Sequence, residues 1–530
     1  MIGNDDSLSR LAEGTFDVLV IGGGITGAGV ARDASLRGLR VALVERGDYA
    51  IGTSSKSSKL VHGGLRYLQH AQFKMVFESV TERALLMHSA PHLVRPMEFM
   101  VPAASWKRLA MTQLGVVIYD ALARWQPPSG HERFSARETL DREPALNGRK
   151  DLVGSITYFD CHTDDARLTL ENVLDAESLG ATCANYVRAV ELVTGTGGRV
   201  TGAIVEDPYG RRAEVSARVV LSAVGPWTSR LLGKDVLRPT KGVHIVVPAQ
   251  RLPVQRAMVL FLRDRVIFAI PEGARTVLGT TDTDFDGDPA DVHATADDIR
   301  YLLAIARYSF PQAKLTQDDI ISTWAGVRPL IASGAMATSA VPREHEIWDE
   351  PNGLVVVAGG KLTTYRHMAE EITDHVVDRL RDAGFCEDAR PCTTRDRSLP
   401  GAPEGETVEQ LRQRLLEQVP EDVADHLVFN YGARADTVLV SGPVERISPD
   451  LPHLWAEIDY AVRYELAKTV EDVLARRVKL LLYDRDQGMR AAPVVADRIA
   501  HLRGLTPTEQ AAQLAAYHRT VALSRRWRAA

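Results

Sequence analysis

The chain has 530 residues, 45% of them hydrophobic and 25% charged, which is typical of a folded protein with two or three domains. Its net charge of −6 argues against a nucleic-acid partner. The four cysteines are scattered without zinc-ligand spacing, and no apolar run approaches the ~20 residues of a membrane-spanning helix. The polar N-terminus lacks the pattern of a secretory signal, so we expect a cytoplasmic protein with reduced thiols and no metal site.

Residues 16–45 predict a strand, a glycine-rich turn, a helix and a second strand. Gly22, Gly24 and Gly27 have G-x-G-x-x-G spacing, which suits a tight turn, close approach to a pyrophosphate and close helix packing. Glu45 ends the second strand, where an acidic side chain accepts hydrogen bonds from an adenosine ribose. A carboxylate would repel a 2′-phosphate, so this unit favours FAD or NAD over NADP. It does not separate FAD from NAD.

Residues 53–68, TSSKSSKLVHGGLRYL, predict a polar loop that contacts a ligand. Five hydroxyl side chains and two lysines fall within seven positions and could bind pyrophosphate and the edges of a ring. Gly63 and Gly64 would let the backbone approach a flat ligand. The alternative is a solvated serine-rich loop, which would not require the following glycine pair.

Residues 105–125 predict a helix with an apolar face, with Trp106 and Trp125 near its ends and basic residues flanking it. This pattern is typical of a helix that lies in a membrane interface. An ordinary amphipathic core helix has the same pattern and is the alternative.

Periodicity and turn residues predict the remaining elements. We expect helices at 72–90, 166–182 and 295–309, strands at 187–193, 199–206 and 213–224, and a largely antiparallel sheet from 243–285. We also expect a loop at 126–150, Arg328 in a turn, a strand, turn and helix across 353–372, and a linker at 386–407. The segment after residue 408 is predicted to be helical, with 460–484 as its clearest helix.

Six motifs, in order along the chain, resemble those of the FAD-dependent (respiratory) glycerol-3-phosphate dehydrogenases: GGGITGAGVARDASLRGL, TSSKSSKLVHGGLRYL, KGVHIVVP, GTTDTDFDGDP, AGVRPL and GGKLTTYR. The resemblance covers nearly the whole chain. It implies an α/β fold of the glycine-oxidase and D-amino-acid-oxidase kind. A Rossmann-type FAD-binding domain would be interleaved with a mixed or antiparallel-sheet substrate domain and followed by an α-helical C-terminal domain.

The resemblance suggests three divisions of the chain. An oxidoreductase region would span 16–390, a linker 391–407 and the helical domain 408–530. Within the first region, FAD-binding parts are expected at about 16–90, 150–235 and 350–385, and substrate parts at about 91–149 and 236–349.

The implied reaction is the oxidation of sn-glycerol 3-phosphate to dihydroxyacetone phosphate in glycerol and glycerophospholipid metabolism. Hydride would pass from C2 to flavin N5, and the electrons to a quinone. One alternative is a glycerol-3-phosphate oxidase that makes hydrogen peroxide. Another, from a different class, is an inactive flavin-binding regulatory protein, but its expected loss of site residues is not observed.

The resemblance also suggests the site residues. His244 is the candidate base, because imidazole titrates near neutral pH, and Arg328 would stabilise negative charge on the C2 oxygen. The candidate substrate-binding residues are Arg66, Tyr67, Lys361 and Thr364. The candidate residues for noncovalent FAD are Gly22, Gly23, Gly24, Ile25, Thr26, Gly27, Glu45, Arg46, Thr53, Ser54, Ser58, Lys59, Leu60, His62, Val187, Gly225, Gly360 and Leu362.

Members of this family associate with the cytoplasmic face of a membrane, where quinone is reached. The resemblance therefore gives the interfacial interpretation of residues 105–125 equal weight with the core helix. It also suggests a homodimer.

Overall fold

The computed structural model of the protein describes residues 7–70, 72–123, 128, 130–262, 265–332 and 345–529. The side chain of Arg66 and all of Arg124 and Trp125 lie outside the described residues.

Eighteen strands are formed: β1 Thr15–Ile21, β2 Val41–Glu45, β3 Leu60–Val61, β4 Arg95–Ala103, β5 Glu132–Ser135, β6 Gly154–His162, β7 Thr182–Asn185, β8 Arg188–Thr194, β9 Val200–Glu206, β10 Arg212–Ser222, β11 Leu237–Pro248, β12 Ala257–Leu262, β13 Arg265–Glu272, β14 Arg275–Gly279, β15 Thr283–Asp284, β16 Ser322–Ile331, β17 His345–Asp349 and β18 Val355–Gly359. This count refers to the described ranges.

The same ranges contain sixteen α-helices: α1 Ser7–Ala12, α2 Ile25–Leu36, α3 Phe73–Ser89, α4 Trp106–Leu122, α5 Ala136–Arg142, α6 Asp165–Ser178, α7 Thr228–Leu232, α8 Ala296–Ser309, α9 Tyr365–Asp382, α10 Val408–Leu416, α11 Glu421–Tyr431, α12 Ala435–Ser441, α13 Trp455–Tyr464, α14 Leu480–Tyr483, α15 Ala492–Arg503 and α16 Pro507–Ser524.

The first sheet has eight strands in the order β17-β18-β10-β1-β2-β7, with β9 paired to β10 and β8 to β9. The strands from β18 to β7 run parallel, as expected for a sheet built from strand–helix–strand units. Helices α2, α6 and α9 pack on this sheet through a buried apolar core that includes Val18, Ala31 and Ile372. The glycine-rich turn therefore lies at the carboxyl ends of parallel strands, where open α/β sheets bind their ligands.

The second sheet has ten strands in the order β15-β11-β14-β13-β12-β4-β6-β3, with β16 paired to β11 and β5 to β6. Apart from the parallel pair β4–β12, its pairs are antiparallel, which confirms the sheet type predicted for 243–285. The β11–β16 register sets Thr240 opposite Arg328 and His244 opposite Trp324. Since residues two apart along a strand share a face, Arg328 and His244 lie on one face of this sheet.

Two local predictions are wrong. Arg328 lies inside strand β16 rather than in a turn, because the backbone of Val327 and its neighbours completes the ladder with β11. Residues 126–150 are not a plain loop, since β5 and α5 form there and β5 pairs with β6.

The C-terminal segment is helical, as predicted, but residues 460–484 do not form one helix. Helix α13 ends at Tyr464, a π-helical turn covers Asp472–Arg477, and α14 begins at Leu480. The break turns Arg476 and Arg477 inward to Asp48 of the first sheet domain, with contacts of 2.5 and 2.8 Å. Buried charges must be paired, so this tertiary contact overrides the local helical pattern.

The helical segment shares a core with the second sheet, in which Ile458, Val473 and Leu482 lie among residues of β4, β6 and β12. Among the described helices, none combines the length and the apolar character needed to cross a bilayer.

Candidate active site

One cavity of 1240 Å³ runs between the two sheets, from the glycine-rich turn to the face of the second sheet that carries His244 and Arg328. Small-molecule pockets usually measure about 300–1,000 Å³. The cavity is therefore large enough for a dinucleotide together with a small substrate.

The glycine-rich turn forms one end of this cavity. Gly22 has φ +113°, and a Cβ there would lie 2.6 Å from the carbonyl oxygen of Ala223, so a larger residue does not fit. Helix α2 follows at Ile25, whose N–H donates to Ser54 Oγ at 2.9 Å. Because Gly24, Ile25 and Thr26 line the cavity, the positive end of the α2 dipole can hold a pyrophosphate there.

Glu45 stands at the end of β2 with its carboxylate buried against the turn. Its oxygens accept hydrogen bonds from Gly23 N at 2.7 Å and Gly47 N at 2.9 Å. Burial raises the pKa of this carboxyl, and the two backbone N–H groups oppose that shift. An ionised carboxylate offers about four acceptor positions, so Glu45 retains capacity for the hydroxyls of a ribose. The residues at this end fit the adenosine half of FAD.

Residues 53–68 wrap the cavity instead of forming a solvated loop. Thr53 Oγ1 donates to Val327 O at 2.6 Å, and Trp324 Nε1 donates to Ser57 O at 3.2 Å. Both bonds attach the segment to β16. Its hydroxyl-rich stretch thereby lies between the glycine-rich turn and the His244 face.

Lys59 departs from the expected orientation towards the cofactor. Its ammonium contacts Asp165 at 2.5 Å and Asp164 at 3.4 Å, and Asp164 also pairs with Lys479 of the helical segment at 2.9 Å. Burial lowers the pKa of Lys59, but the two carboxylates outweigh it and raise the pKa above its usual value. The lysine thus anchors the loop to α6 and to the C-terminal helices.

His244 is buried at the centre of the second-sheet face. Its Nε2 lies 2.8 Å from Ser58 Oγ, and its ring stacks on Trp324 with centroids 4.7 Å apart. Burial, followed by the charges of Arg328 and Lys59, lowers its pKa to about 3. The imidazole is therefore neutral at physiological pH, but in the free protein its pKa lies well below the near-neutral value expected from the sequence, so the ring is a weaker base than an unperturbed histidine.

Arg328 pairs with Thr240, four residues along the strand from His244, and lies on the same face. Its guanidinium donates to Asp282 Oδ1 at 3.0 Å and to Thr280 Oγ1 at 3.2 Å. A Cβ at Gly242 would lie 2.7 Å from the guanidinium, so the absence of a side chain there makes room for the arginine. On another wall, Lys361 Nζ lies 4.3 Å from the centre of the Tyr67 ring. Arg328, Lys361 and Lys56 of the hydroxyl-rich loop are thus among the cations, drawn from several chain segments, that border this cavity.

Most of the predicted site residues line this cavity. They are Gly22, Gly24, Ile25, Thr26, Glu45, Arg46, Thr53, Ser54, Ser58, Leu60, His62, Tyr67, Val187, Gly225, His244, Arg328, Gly360, Lys361 and Leu362. Gly23, Gly27, Lys59 and Thr364 are not among its described lining residues, whereas Thr363 is. Thr364 is buried at the start of α9, one residue too far along the chain to reach the cavity wall.

The candidate site residues did not include Lys56, Trp227 and Asp282 by number, although these residues also line the cavity. Lys56 belongs to the hydroxyl-rich motif and Asp282 to GTTDTDFDGDP, so both carried a signal. Trp227 packs beneath the Arg46 guanidinium at 4.1 Å, a contact between distant segments that no local pattern indicates.

Comparisons with known proteins identify the class to which this chain belongs. Residues 17–375 match the family model described as FAD dependent oxidoreductase, and residues 392–510 match that of the C-terminal domain of alpha-glycerophosphate oxidase. The chain is 37% identical over 519 residues to an aerobic glycerol-3-phosphate dehydrogenase of Staphylococcus haemolyticus, covering 93% of this chain and 92% of the relative.

Two solved structures agree with this class. The glycerol-3-phosphate dehydrogenase from Bacillus halodurans complexed with FAD superposes with a TM-score of 0.81 at 32% identity, covering 98% of this chain and 97% of that one. Glycine oxidase from Geobacillus kaustophilus, at 21% identity and a TM-score of 0.52, covers 69% of this chain and 95% of that one and supports the fold alone. The chain belongs to the FAD-dependent glycerol-3-phosphate dehydrogenase family, and FAD is its cofactor. The predicted family, fold class and cofactor are confirmed.

Proposed function

We propose that this enzyme oxidises sn-glycerol 3-phosphate to dihydroxyacetone phosphate and passes the electrons to a quinone. The observation that carries the proposal is the continuity of the cavity, which joins a dinucleotide end at Gly22–Glu45 to an end with cations and a neutral histidine. When bound, FAD supplies the two-electron acceptor. The chain itself must hold a phosphate ester, take up the C2 hydroxyl proton and keep the reacting atoms aligned.

Two cations from separate segments of the cavity lining would hold the substrate phosphate. Lys361 approaches as a point charge above Tyr67, while Arg328 presents a planar fork already fixed by Asp282. A guanidinium pre-oriented in this way loses little rotational freedom on binding and can also stabilise developing negative charge on an oxygen. The carboxylate of Asp282 limits the excess positive charge in the free enzyme.

His244 would accept the C2 hydroxyl proton at Nε2, the atom that faces Ser58. Its low pKa keeps it neutral before substrate binds. The negative charges of a bound phosphate ester favour the imidazolium and raise the pKa towards neutrality. The ring would therefore become a stronger base when substrate is present.

An apolar patch on α3 and α4 supports contact with a membrane, where quinone is dissolved. Helix α4 buries Leu109, Val116 and Tyr119, but Trp106, Met111 and Leu114 on its other side are each more than 60% exposed. Phe73 and Phe77 of α3 add further exposed apolar surface. An apolar outward face is expected of a helix that lies in a membrane interface, whereas an ordinary amphipathic core helix has a polar outward face. We infer peripheral association through this patch.

A flotation assay with phospholipid vesicles tests this inference. Replacing Trp106 and Leu114 with glutamine should leave the enzyme in the soluble fraction with its FAD retained. Val440 of α12 is 83% exposed and lies outside the patch, so Val440→Gln serves as the matched control that should still float. Unchanged flotation of the folded double variant would refute the patch.

An anaerobic titration with glycerol 3-phosphate tests the reaction. We expect the substrate to bleach the flavin absorption, with slow recovery in air and fast recovery with a soluble quinone. Fast recovery in air with stoichiometric peroxide would support the oxidase instead. A flavin that this substrate does not bleach would contradict both.

A further inference from the structure

A second group of convergent polar side chains lies in the helical C-terminal segment, away from the cavity. His426 of α11, His453 before α13 and Glu457 in the first turn of α13 place their ligand atoms within 4.8 Å of one another. His426 Nε2 lies 2.8 Å from Glu457 Oε2 and 3.2 Å from His453 Nδ1. The side chains of His426, His453 and Glu457 are 8%, 7% and 0% exposed.

We propose that His426, His453 and Glu457 form a binding site for a divalent transition-metal ion, with Zn²⁺ as the best match. Cysteine spacing predicted no metal site, but this group contains no cysteine and joins segments that are 27 residues apart. The inference is independent of the reaction proposed above.

The spacing of the ligand atoms fits a metal ion. Bonds of about 2.0–2.1 Å in a tetrahedron put neighbouring ligand atoms about 3.3 Å apart. Two of the three separations, 2.8 and 3.2 Å, lie close to that edge length. The third, between His453 Nδ1 and Glu457 Oε1, is 4.0 Å and would have to shorten when the ion binds. A hydrogen bond explains this geometry less well, because His426 Nε2 faces two partners and can carry only one proton.

The donor set selects the class of metal. Two imidazoles and one carboxylate are typical zinc ligands, and they suit Co²⁺ and Ni²⁺ as well, whereas Ca²⁺ and Mg²⁺ prefer oxygen ligands. The carboxylate is also oriented by its surroundings. Tyr431 Oη donates to Glu457 Oε2 at 2.8 Å, and Leu454 N donates to Oε1 at 2.6 Å. Such outer partners orient metal ligands and tune their strength.

Asn430 connects this group to the rest of the protein. Its amide nitrogen lies 3.1 Å from His426 Nδ1 and also donates to the His426 carbonyl oxygen at 3.0 Å, a bond that is lost if the amide turns. Its oxygen accepts from Lys479 Nζ at 2.8 Å. A metal on Nε2 requires a proton on Nδ1, so binding must turn the amide to present its oxygen to His426. Lys479 then keeps Asp164 as its partner at 2.9 Å. An aspartate at position 430 would accept that proton without turning, and should therefore favour the metal-bound state.

The site would fasten α11 to the start of α13. These helices also meet through the hydrogen bond from Tyr431 to Glu457 and an apolar cluster that includes Leu427, Leu454 and Tyr460. A ligand that binds the folded chain raises its apparent stability. We therefore expect Zn²⁺ to raise the thermal midpoint of the holoenzyme, and a chelator to lower it.

The decisive measurement is the zinc content of the holoenzyme made without a histidine tag. The protein is stripped with chelator, exposed to Zn²⁺, dialysed and measured by mass spectrometry, with flavin absorption as the reference for folded enzyme. We expect about one Zn²⁺ per chain, and affinity weakened at least about tenfold in Glu457→Gln and in His453→Gln. His375→Gln is the matched control, because His375 pairs with an exposed Asp349 at 3.0 Å.

Wild type that retains no zinc overturns the proposal. So does a folded Glu457→Gln variant that binds zinc as tightly as wild type, since the ion would then sit elsewhere. Should the ligand variants fail to fold, Asn430→Asp decides. Zinc affinity raised by about tenfold supports the site, and unchanged affinity overturns it.

Discussion

Replacement of His244 by glutamine removes the ring that we propose as the base while keeping a polar side chain near Ser58. The ring is confined between Trp324 and the backbone of Gly279, so glutamine fits in the same space but cannot accept a proton. General-base catalysis typically contributes 10²–10⁴-fold, or about 3–5 kcal/mol of the barrier at 1.36 kcal/mol per tenfold. We expect a loss of this size in the rate of the chemical step.

The assay is the anaerobic rate of flavin bleaching at saturating glycerol 3-phosphate, followed by stopped flow. FAD content and the thermal midpoint should stay close to wild type, because the glutamine amide can replace the contact of Nε2 with Ser58, and His244 Nδ1 is buried without a hydrogen-bond partner. Ser58→Ala is the companion variant, which keeps the base and should slow bleaching far less. A folded, FAD-loaded His244→Gln enzyme that bleaches within about tenfold of wild type would refute the assignment.

Three further predictions concern single residues. Arg328→Lys should lower kcat/KM by about 10²–10³-fold with FAD retained, because lysine cannot contact Asp282, Thr280 and substrate together. Steady-state kinetics of wild type and variant at equal FAD occupancy test this, and a clearly smaller loss would contradict it. Glu45→Gln should weaken FAD binding about 10–100-fold, because Gly23 N–H and Gly47 N–H each donate to one carboxylate oxygen and the NH2 group of glutamine cannot accept from either. Unchanged affinity in a fluorescence titration of the apoenzyme with FAD would contradict this. His92 is buried with both ring nitrogens unpartnered, and burial together with nearby arginines lowers its pKa to about 3. The unfolded chain binds its proton near pH 6.5 and the folded chain does not, so stability falls as the pH drops below 6.5. Between pH 7 and pH 5, the free energy of unfolding should therefore fall by about 2 kcal/mol less in His92→Leu than in wild type. Denaturation measurements that show the same pH dependence for both proteins would disprove the linkage.

The helical segment has a structural connection to the cofactor loop. Lys59 holds the hydroxyl-rich loop to Asp164 and Asp165, and Asp164 also pairs with Lys479 from the helices. Arg476 and Arg477 make a second buried connection to Asp48, which follows the Glu45 strand. Burial opposes ionisation of Asp48, but the two arginines outweigh it and lower its pKa to about 2. The C-terminal helices therefore stabilise the loops that border the FAD site.

Local sequence patterns were sufficient to predict the first strand–turn–helix unit. The apolar run to Ile21, the glycine spacing and Glu45 each act over a few residues, and the structure forms β1, α2 and β2 there. The strands at 199–206 and 213–224 and the helix at 295–309 were likewise predicted from periodicity, because alternation and helical repeats depend on near neighbours.

Tertiary structure decided what the sequence could not. The pairing of β11 with β16 put His244 beside the Arg328 strand, although 84 residues separate them along the chain. Lys59 was predicted to contact the cofactor, but two aspartates 105 and 106 residues away bind it. The helix predicted across 460–484 was broken by Asp48, more than 400 residues earlier. In each case a buried charge or a strand register outweighed a local preference, because pairing charges and backbone groups away from water is worth more than the small propensities that periodicity reports.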